Sequence, residues 1–424
     1  MRPKNVTSPQ TLHPRQSARN SRQMNPRPVF EELVESALRA VCPVEAILSH
    51  VRRRGSKLRV DREIFDLARF DEIRLIAVGK AAVPMAATLI PMIGDKLSKG
   101  VIVTKKGYFK KPAVVSGKTI SVKFDQRMTV IESGHPLPDR NSLRAGRAIA
   151  DTAANCSRET LVLCCISGGA SALAILPKPG ISLASYRDVN KILLASGADI
   201  MTVNGIRKAL DRIKGGGLAQ MAQPAQVVSL IISDVMGDPI PIIASGPTHH
   251  PRARNFLIAN NAQACRAAAI YARKSGFKTR IVTTELRGEA KKAGAQIAQD
   301  IAAAPPKTCL IYGGESTVTL KGKTGKGGRN QELVLAAAIA LSKSGGHPQI
   351  ALVSFGTDGI DGMSNAAGAF CTPETVAHGK SKGLSAQKLL REHNSHIFFK
   401  AIGQLITTGQ TGTNVADVVV AVKF

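Results

Sequence analysis

Lys80 stands one residue beyond an apolar run, Ile73–Val78, with only Gly79 between. A lone ammonium there is costly to desolvate without an anionic partner, which either a ligand phosphate or a structural carboxylate would supply. A second apolar run, Leu161–Ile166, opens into Ser167-Gly168-Gly169-Ala170-Ser171. Its glycines let backbone N–H groups approach an anion, and the following Ala-Leu-Ala can start a helix whose N-terminus favours negative charge; a plain tight turn is the alternative. Other runs end in carboxylates: Asp234 and Asp238 after Val227–Ile232, Glu315 after Thr308–Tyr312 and Gly313-Gly314, Asp358 and Asp361 after Ile350–Phe355. Each alone is commonly a cap or turn residue. Together they are candidates for a proton acceptor or for holding Mg²⁺, which takes one or two carboxylates plus phosphate oxygens. The stretch Gly322-Lys323-Thr324-Gly325-Lys326-Gly327-Gly328-Arg329-Asn330 precedes an apolar helix and has the parts of an anion-gripping loop or of a flexible hairpin. His135, between Gly134 and Pro136 after Thr129–Glu132, is either a turn residue or a substrate contact.

The elements that must position these residues alternate in the manner of an α/β protein. Helical spacing runs from Phe30 to Leu48, and the runs named above, with Val101–Thr104, Thr279–Thr283 and Val415–Val422, are apolar at consecutive positions. That pattern suits strands buried on both faces, as in a parallel sheet covered by helices. Alternation in Ser316–Leu320 predicts a half-exposed antiparallel strand, and the polar stretch His249–Asn255 reads as a crossover between two lobes. The expected architecture is two α/β domains with largely parallel, helix-covered sheets and an interdomain active-site cleft. Its parts are a disordered basic tail over residues 1–28, a Rossmann-like N-terminal domain over 29–255 and a C-terminal α/β domain over 256–424. The chemistry-bearing segments fall at carboxyl ends of strands, where open α/β sheets bind ligands.

Composition narrows the function classes. The chain has 424 residues, and its 58 Lys+Arg against 30 Asp+Glu give a net charge of +28, which favours anionic substrates. Trp is absent and aromatic residues are 4%, so base-stacking platforms are missing and nucleic acid is not the expected partner. The longest apolar runs are far too short for a membrane span. Seven cysteines without a C-x-x-C pair argue against a disulfide framework or zinc ribbon and for a reducing, cytoplasmic setting. Neither G-x-x-x-x-G-K-[ST] nor G-x-G-x-x-G occurs, which speaks against a P-loop NTPase and a standard Rossmann dehydrogenase.

Taken in order, Val78-Gly79-Lys80-Ala81-Ala82, Glu132-Ser133-Gly134-His135-Pro136, Ser167-Gly168-Gly169, Asn204-Gly205-Ile206-Arg207-Lys208, Lys214-Gly215-Gly216, Ser233-Asp234-Val235-Met236-Gly237-Asp238-Pro239, Ala244-Ser245-Gly246-Pro247-Thr248, Gly313-Gly314-Glu315, Gly327-Gly328-Arg329-Asn330-Gln331-Glu332, Gly356-Thr357-Asp358-Gly359-Ile360-Asp361-Gly362 and Thr411-Gly412-Thr413-Asn414-Val415 resemble the bacterial glycerate 2-kinase family over about residues 30–424. The resemblance implies ATP-dependent, Mg²⁺-assisted phosphorylation of D-glycerate at its 2-hydroxyl, and places the family's functional lysine and arginine on Lys80 and Arg329. On that footing Asp234 is the preferred proton acceptor, ahead of Asp358, and Asp238, Glu315 and Asp358 are the metal candidates. Arg207 or Lys214 would hold the glycerate carboxylate. Ser167, Gly168, Gly169, Ser171, His135, Gly313, Gly314 and Asn330 would contact substrate or nucleotide. Some family members carry a hydroxypyruvate reductase label, so the alternative functions are that oxidoreductase or a kinase of a related small hydroxy acid; a homodimer is an open alternative to a monomer. The chain departs from the usual family pattern at Ala209-Leu210-Asp211, at Ala170, at Met363-Ser364-Asn365 and at Gln410.

Overall fold

The computed structural model describes residues 25–424 apart from 110–112, 116–117, 121–123, 198–199, 321–323 and 344–348. Most of the expected tail, and Gly322 and Lys323 of the glycine-rich loop, lie outside the described residues; Arg27 already begins a helix. The spacing from Phe30 to Leu48 resolves into two helices, α1 (Arg27–Ala40) and α2 (Pro43–His50). Pro43 forces the break, because proline lacks the amide hydrogen that a helix interior must donate. α1 packs on the second lobe, with Phe30 6.0 Å from the Phe370 ring and Arg27 donating to the Gly403 carbonyl at 2.6 Å. An antiparallel meander follows, β1 (Val51–Arg54), β2 (Lys57–Val60) and β3 (Glu63–Asp66).

After β4 (Glu72–Val78) and β5 (Leu97–Lys105), a hairpin of β6 (Ala113–Val115) and β7 (Lys118–Ile120) leads to β8 (Met128–Ser133), β9 (Thr160–Ile166), β10 (Gln226–Ile232) and β11 (Ala253–Ala259). The hairpin apart, these strands form one parallel sheet in the order β11, β10, β9, β4, β5, β8. β9 is buried at every residue and β4 at every residue but the first, as consecutive apolar positions require. The helices of this lobe are α3 (Ala82–Ile93), α4 (Arg140–Ala153), α5 (Ala170–Leu173), α6 (Leu183–Ala195), α7 (Ile200–Leu210) and α8 (Gly217–Met221). The stretch read as a crossover instead runs into edge strand β11, so a division at residue 255 cuts a strand that continues to Ala259.

The second lobe comprises α9 (Asn261–Lys274), β12 (Lys278–Leu286), α10 (Ala290–Ala303), β13 (Thr308–Gly314), α11 (Arg329–Lys343), β14 (Ile350–Gly356), β15 (Gly368–Cys371), β16 (Leu405–Ile406) and β17 (Asp417–Lys423), with short helices before β16. Its sheet order is β12, β13, β17, β14, β15, β16, and only β12 and β13 pair in parallel. The parallel arrangement thus describes the first sheet, and the second is mixed. Consecutive apolar residues report burial on both faces and carry no information on strand direction. Ser316–Leu320 forms no ladder; its one bridge joins Thr317 to Glu289. One buried core runs through both lobes, from Phe30 and Ile73 to Val353 and Val420.

Candidate active site

Parallel strands end at the same edge of their sheet. Lys80 after β4, Lys105 at the end of β5, His135 after β8, Ser167–Ser171 after β9 and Asp234 after β10 therefore reach one side of the first lobe. In the second lobe β13 and β14 deliver Glu315 and Asp358. β17 runs against them, so its first residue, Asp417, arrives at that same edge opposite Gly314 and Gly356.

Two side-chain contacts cross between the lobes here. Lys80 Nζ donates to Asp358 Oδ2 at 3.2 Å, and Asn414 Nδ2 donates to Asp234 Oδ2 at 3.3 Å. Lys80 is 12% exposed, and the anion that its burial demands is a carboxylate of the facing lobe. Burial pushes the Asp234 carboxyl above the ordinary aspartate value, Lys80 pulls it down and Asp358 raises it again. Burial likewise pushes Glu315 up, opposed by Arg329 and reinforced by Asp417 and Asp234. Arg329, the first residue of α11, donates Nε and a terminal nitrogen to Asp417 and its other terminal nitrogen to Glu315 Oε1 at 2.7 Å. Burial disfavours its charge, but these two carboxylates outweigh that and hold its pKa above the usual arginine value.

The turns carrying these groups lock together. An ideal Cβ on Gly79, at φ +131°, would lie 2.1 Å from Ser167 Oγ, and that hydroxyl accepts from the Ala81 amide at 3.0 Å. The Lys80 amide donates to the Gly168 carbonyl, also at 3.0 Å. A Cβ on Gly168 would lie 2.1 Å from Asp234 Oδ2, so this glycine makes the room in which the carboxylate sits. The helix after the turn, α5, has only four residues and contributes little dipole. Its capacity for an anion lies instead in the amides of Gly169, Ala170 and Ser171, which find no acceptor among the described residues. Ser171 Oγ shares a hydrogen bond with Ser245 Oγ at 2.8 Å.

The His135 ring rests against Gly169, where a Cβ would come within 3.2 Å of its Cδ2. Burial, then Lys80, Lys105 and Arg207, lower its pKa to about 4. A neutral imidazole ringed by three cations is suited to a small carboxylate or phosphate. Arg207 also donates to Asn190 Oδ1 at 3.0 Å. Lys214 is different: its Nζ pairs with Asp211 at 2.6 Å, the two side chains are 1% and 0% exposed, and Tyr186 donates to the same carboxylate. Of the two candidates for a substrate carboxylate, Arg207 faces the site and Lys214 is held in a structural pair.

Other expected site residues are also taken up by the protein. Asn330 is buried, donates to Asp361 through its backbone and side chain, and accepts from Ser354. Asp361, which takes the Asn330 and Gln331 amides, is the N-terminal cap of α11. Gly313 and Gly314 lie inside β13, where a Cβ would meet Asn261 Oδ1 at 1.8 Å and the Leu286 amide nitrogen at 2.3 Å. They are glycines for close packing. Asp238 accepts from Asn260 Nδ2 at 2.6 Å.

Among the described residues no three His, Cys, Asp or Glu side chains converge as a metal cage, so Asp238, Glu315 and Asp358 do not form one. Mg²⁺ does not require such a cage, since it keeps waters and takes phosphate oxygens. The carboxylates where the lobes meet suit it: Asp358 raises Asp234, and Asp417 and Asp234 raise Glu315, so repulsion among them adds to burial. Lys105 and Asp417 are charged residues here that lie outside the sequence motifs, and Asn414 belongs to the Thr411–Val415 segment of the resemblance. Lys105 carried a signal, a Lys-Lys-Gly directly after an apolar run.

With this geometry in place, comparison with known proteins is informative. Residues 29–270 match a family described as a domain of unknown function, DUF4147, and residues 308–417 match the MOFRL family. The chain is 36% identical to a protein of Pyrococcus horikoshii named glycerate 2-kinase, over 94% of this chain and 98% of that one. It belongs to the glycerate kinase family. The crystal structure of glycerate kinase from Thermotoga maritima superimposes with a TM-score of 0.81 at 32% identity, covering 94% of this chain and 99% of that one. A family member from Agrobacterium vitis, 38% identical over 81% of this chain and 97% of its own, is named putative hydroxypyruvate reductase.

Proposed function

We propose that this protein transfers the γ-phosphoryl group of ATP to the 2-hydroxyl of D-glycerate, giving 2-phosphoglycerate and ADP. The observation that carries the reading is the convergence of Lys80, Asp234, Asp358 and Arg329 from two lobes on one edge, in a chain of the glycerate kinase family. Phosphoryl transfer asks a protein mainly for positioning and for neutralising charge. Asp234, raised above an ordinary aspartate, accepts the hydroxyl proton. Lys80 and Arg329 exchange part of their carboxylate pairing for the transferring phosphoryl oxygens. The free amides of Gly169–Ser171 hold a phosphate, and Arg207 with Lys105 and neutral His135 holds the glycerate carboxylate. Asp358 and Glu315 are the groups that would hold Mg²⁺, which when bound offsets charge on the β- and γ-phosphates.

The test is a product assay with D-glycerate, ATP and Mg²⁺ read by phosphorus NMR. A 2-phosphoglycerate resonance that disappears when the metal is chelated supports the reading; a 3-phospho product, or none from folded protein, rejects it. The name of the Agrobacterium relative carries the alternative, and oxidation of NADH by hydroxypyruvate without ATP would establish it. A cytoplasmic enzyme fits the seven cysteines, all free in the structure.

A further inference from the structure

We propose that the cavity behind Arg329 in the second lobe is the seat of the nucleotide's base, and that Glu332 Oε1 there accepts a hydrogen bond from the adenine amino group. This rests on the ATP-dependent reading above. The cavity holds about 400 Å³ and is lined by Val318, Leu320, Met363, Glu332 and His393, and by Glu315 and Arg329 as well. Those last two belong to the Lys80 and Asp234 cluster, so a ligand with its base beside Glu332 has its phosphates beside the reacting groups.

Glu332 is 2% exposed, and its Oε2 takes His393 Nδ1 at 2.9 Å. Its Oε1 is buried without a hydrogen-bond partner among the described residues, an arrangement a folded protein avoids unless a ligand supplies the donor. His393 occupies one oxygen and fixes the carboxylate, which leaves a single acceptor directed at a single donor. Two large apolar side chains of the same cavity are left open, Leu320 at 60% and Met363 at 86% exposure. A flat heterocycle would cover both, and methionine adapts readily to such a face. The floor is fixed by the glycine loop: a Cβ on Gly325 would lie 2.4 Å from Asn394, one on Gly327 2.5 Å from Ser395 Oγ, and the Lys326 amide donates to Asn394 Oδ1 at 3.0 Å. These glycines hold the loop against the segment that carries His393. Adenine presents an amino group where hypoxanthine and guanine present a carbonyl oxygen, so a carboxylate oxygen there selects adenine.

Calorimetric titration of the full chain with ADP, IDP and inorganic pyrophosphate tests this without turnover. ADP should bind at least tenfold more tightly than either comparator. Leu320→Ser and Met363→Ser, both at exposed positions, should each weaken ADP threefold to tenfold and leave pyrophosphate unchanged. Glu332→Gln, whose amide can donate to a carbonyl, should bring IDP within threefold of ADP. Equal affinity for ADP and pyrophosphate, no ADP binding, or serine variants within twofold of the parent would overturn the assignment. Glycerate phosphorylation with unaffected serine variants would remove the base pocket and leave the kinase reading standing. ADP binding with the expected sensitivities but no phosphorylation of glycerate would do the reverse.

Discussion

Gly168→Ala isolates the position of one carboxylate. The glycine is not at positive φ, so alanine suits its backbone. The added Cβ would nonetheless lie 2.1 Å from Asp234 Oδ2 and 2.7 Å from its Cγ. A non-bonded carbon and oxygen settle no closer than about 3.2 Å, so the carboxylate must retreat by roughly 1 Å. It can do so because it is a side chain, and since the 3.3 Å bond from Asn414 ends on that same Oδ2, the retreat loosens this bond as well. Misplacement on that scale costs about 10²-fold in rate, equivalent to about 2.7 kcal/mol in the barrier. The expected result, in an ADP-release assay under saturating ATP and glycerate, is a kcat about 10²-fold below the parent with a thermal midpoint within a few degrees of it. In an Asp234→Asn background the same alanine should add almost nothing, because both changes act through one group. Gly205→Ala, where an added Cβ meets nothing within 4 Å, is the control for glycine replacement in general. A Gly168→Ala enzyme within threefold of the parent kcat, or fully additive losses in the double variant, would refute Asp234 as the proton acceptor.

Asp417→Asn leaves Arg329 with one carboxylate partner, and since Asp417 is only 4% exposed the loss should be about 2 kcal/mol in urea unfolding, with kcat down about tenfold. Lys214→Met strands the buried Asp211 charge and should cost about 3–5 kcal/mol of stability, most of it recovered when Asp211→Asn is added; Arg207→Gln should instead raise the KM for glycerate with little change in stability. His135 has its folded pKa lowered to about 4 from an ordinary 6.5, so the stability it contributes is complete above pH 6.5 and is lost as pH falls through 4. That loss is about 2–3 kcal/mol for a partly buried ring, and His135→Asn should flatten the fall in urea midpoint between pH 7 and pH 4; an unchanged pH slope would contradict it.

The first lobe was legible because its strands are parallel. Burial on both faces writes each strand as an unbroken apolar run, and parallel order then carries every strand-end motif to one edge. The second lobe breaks that rule. Asp417 opens its strand and Asn414 precedes it, and they reach the cleft only because β17 is antiparallel to β13 and β14, which an apolar run does not encode. Glycines misled for a related reason. Gly168 and Gly169 at a strand end mark an approach by a side chain or a ligand, while Gly313 and Gly314 mark an approach by Asn261 and Leu286, and their types alone do not separate the cases. Lys214 stood as a candidate because the sequence alone does not show that Asp211, three residues away, pairs with it and that Tyr186 donates to the same carboxylate.

The departures from the family pattern take on different meanings once they are placed. Asp211 is a buried acid with a buried lysine and a tyrosine hydroxyl, so its first consequence is for the stability of the α7–α8 region. Ala209 and Asn365 are exposed, and neither takes part in the charge network of Lys80, Asp234 and Arg329. Met363 lines the cavity that Glu315, Arg329 and Glu332 also line, and His135 and Arg207 are not among its lining residues. The groups that would grip a three-carbon hydroxy acid are therefore the ones this chain keeps. The change at Met363 bears on the phosphoryl donor. Met363→Pro should alter the KM for ATP and leave that for glycerate within twofold, and the opposite pattern would move the acceptor site to the second lobe.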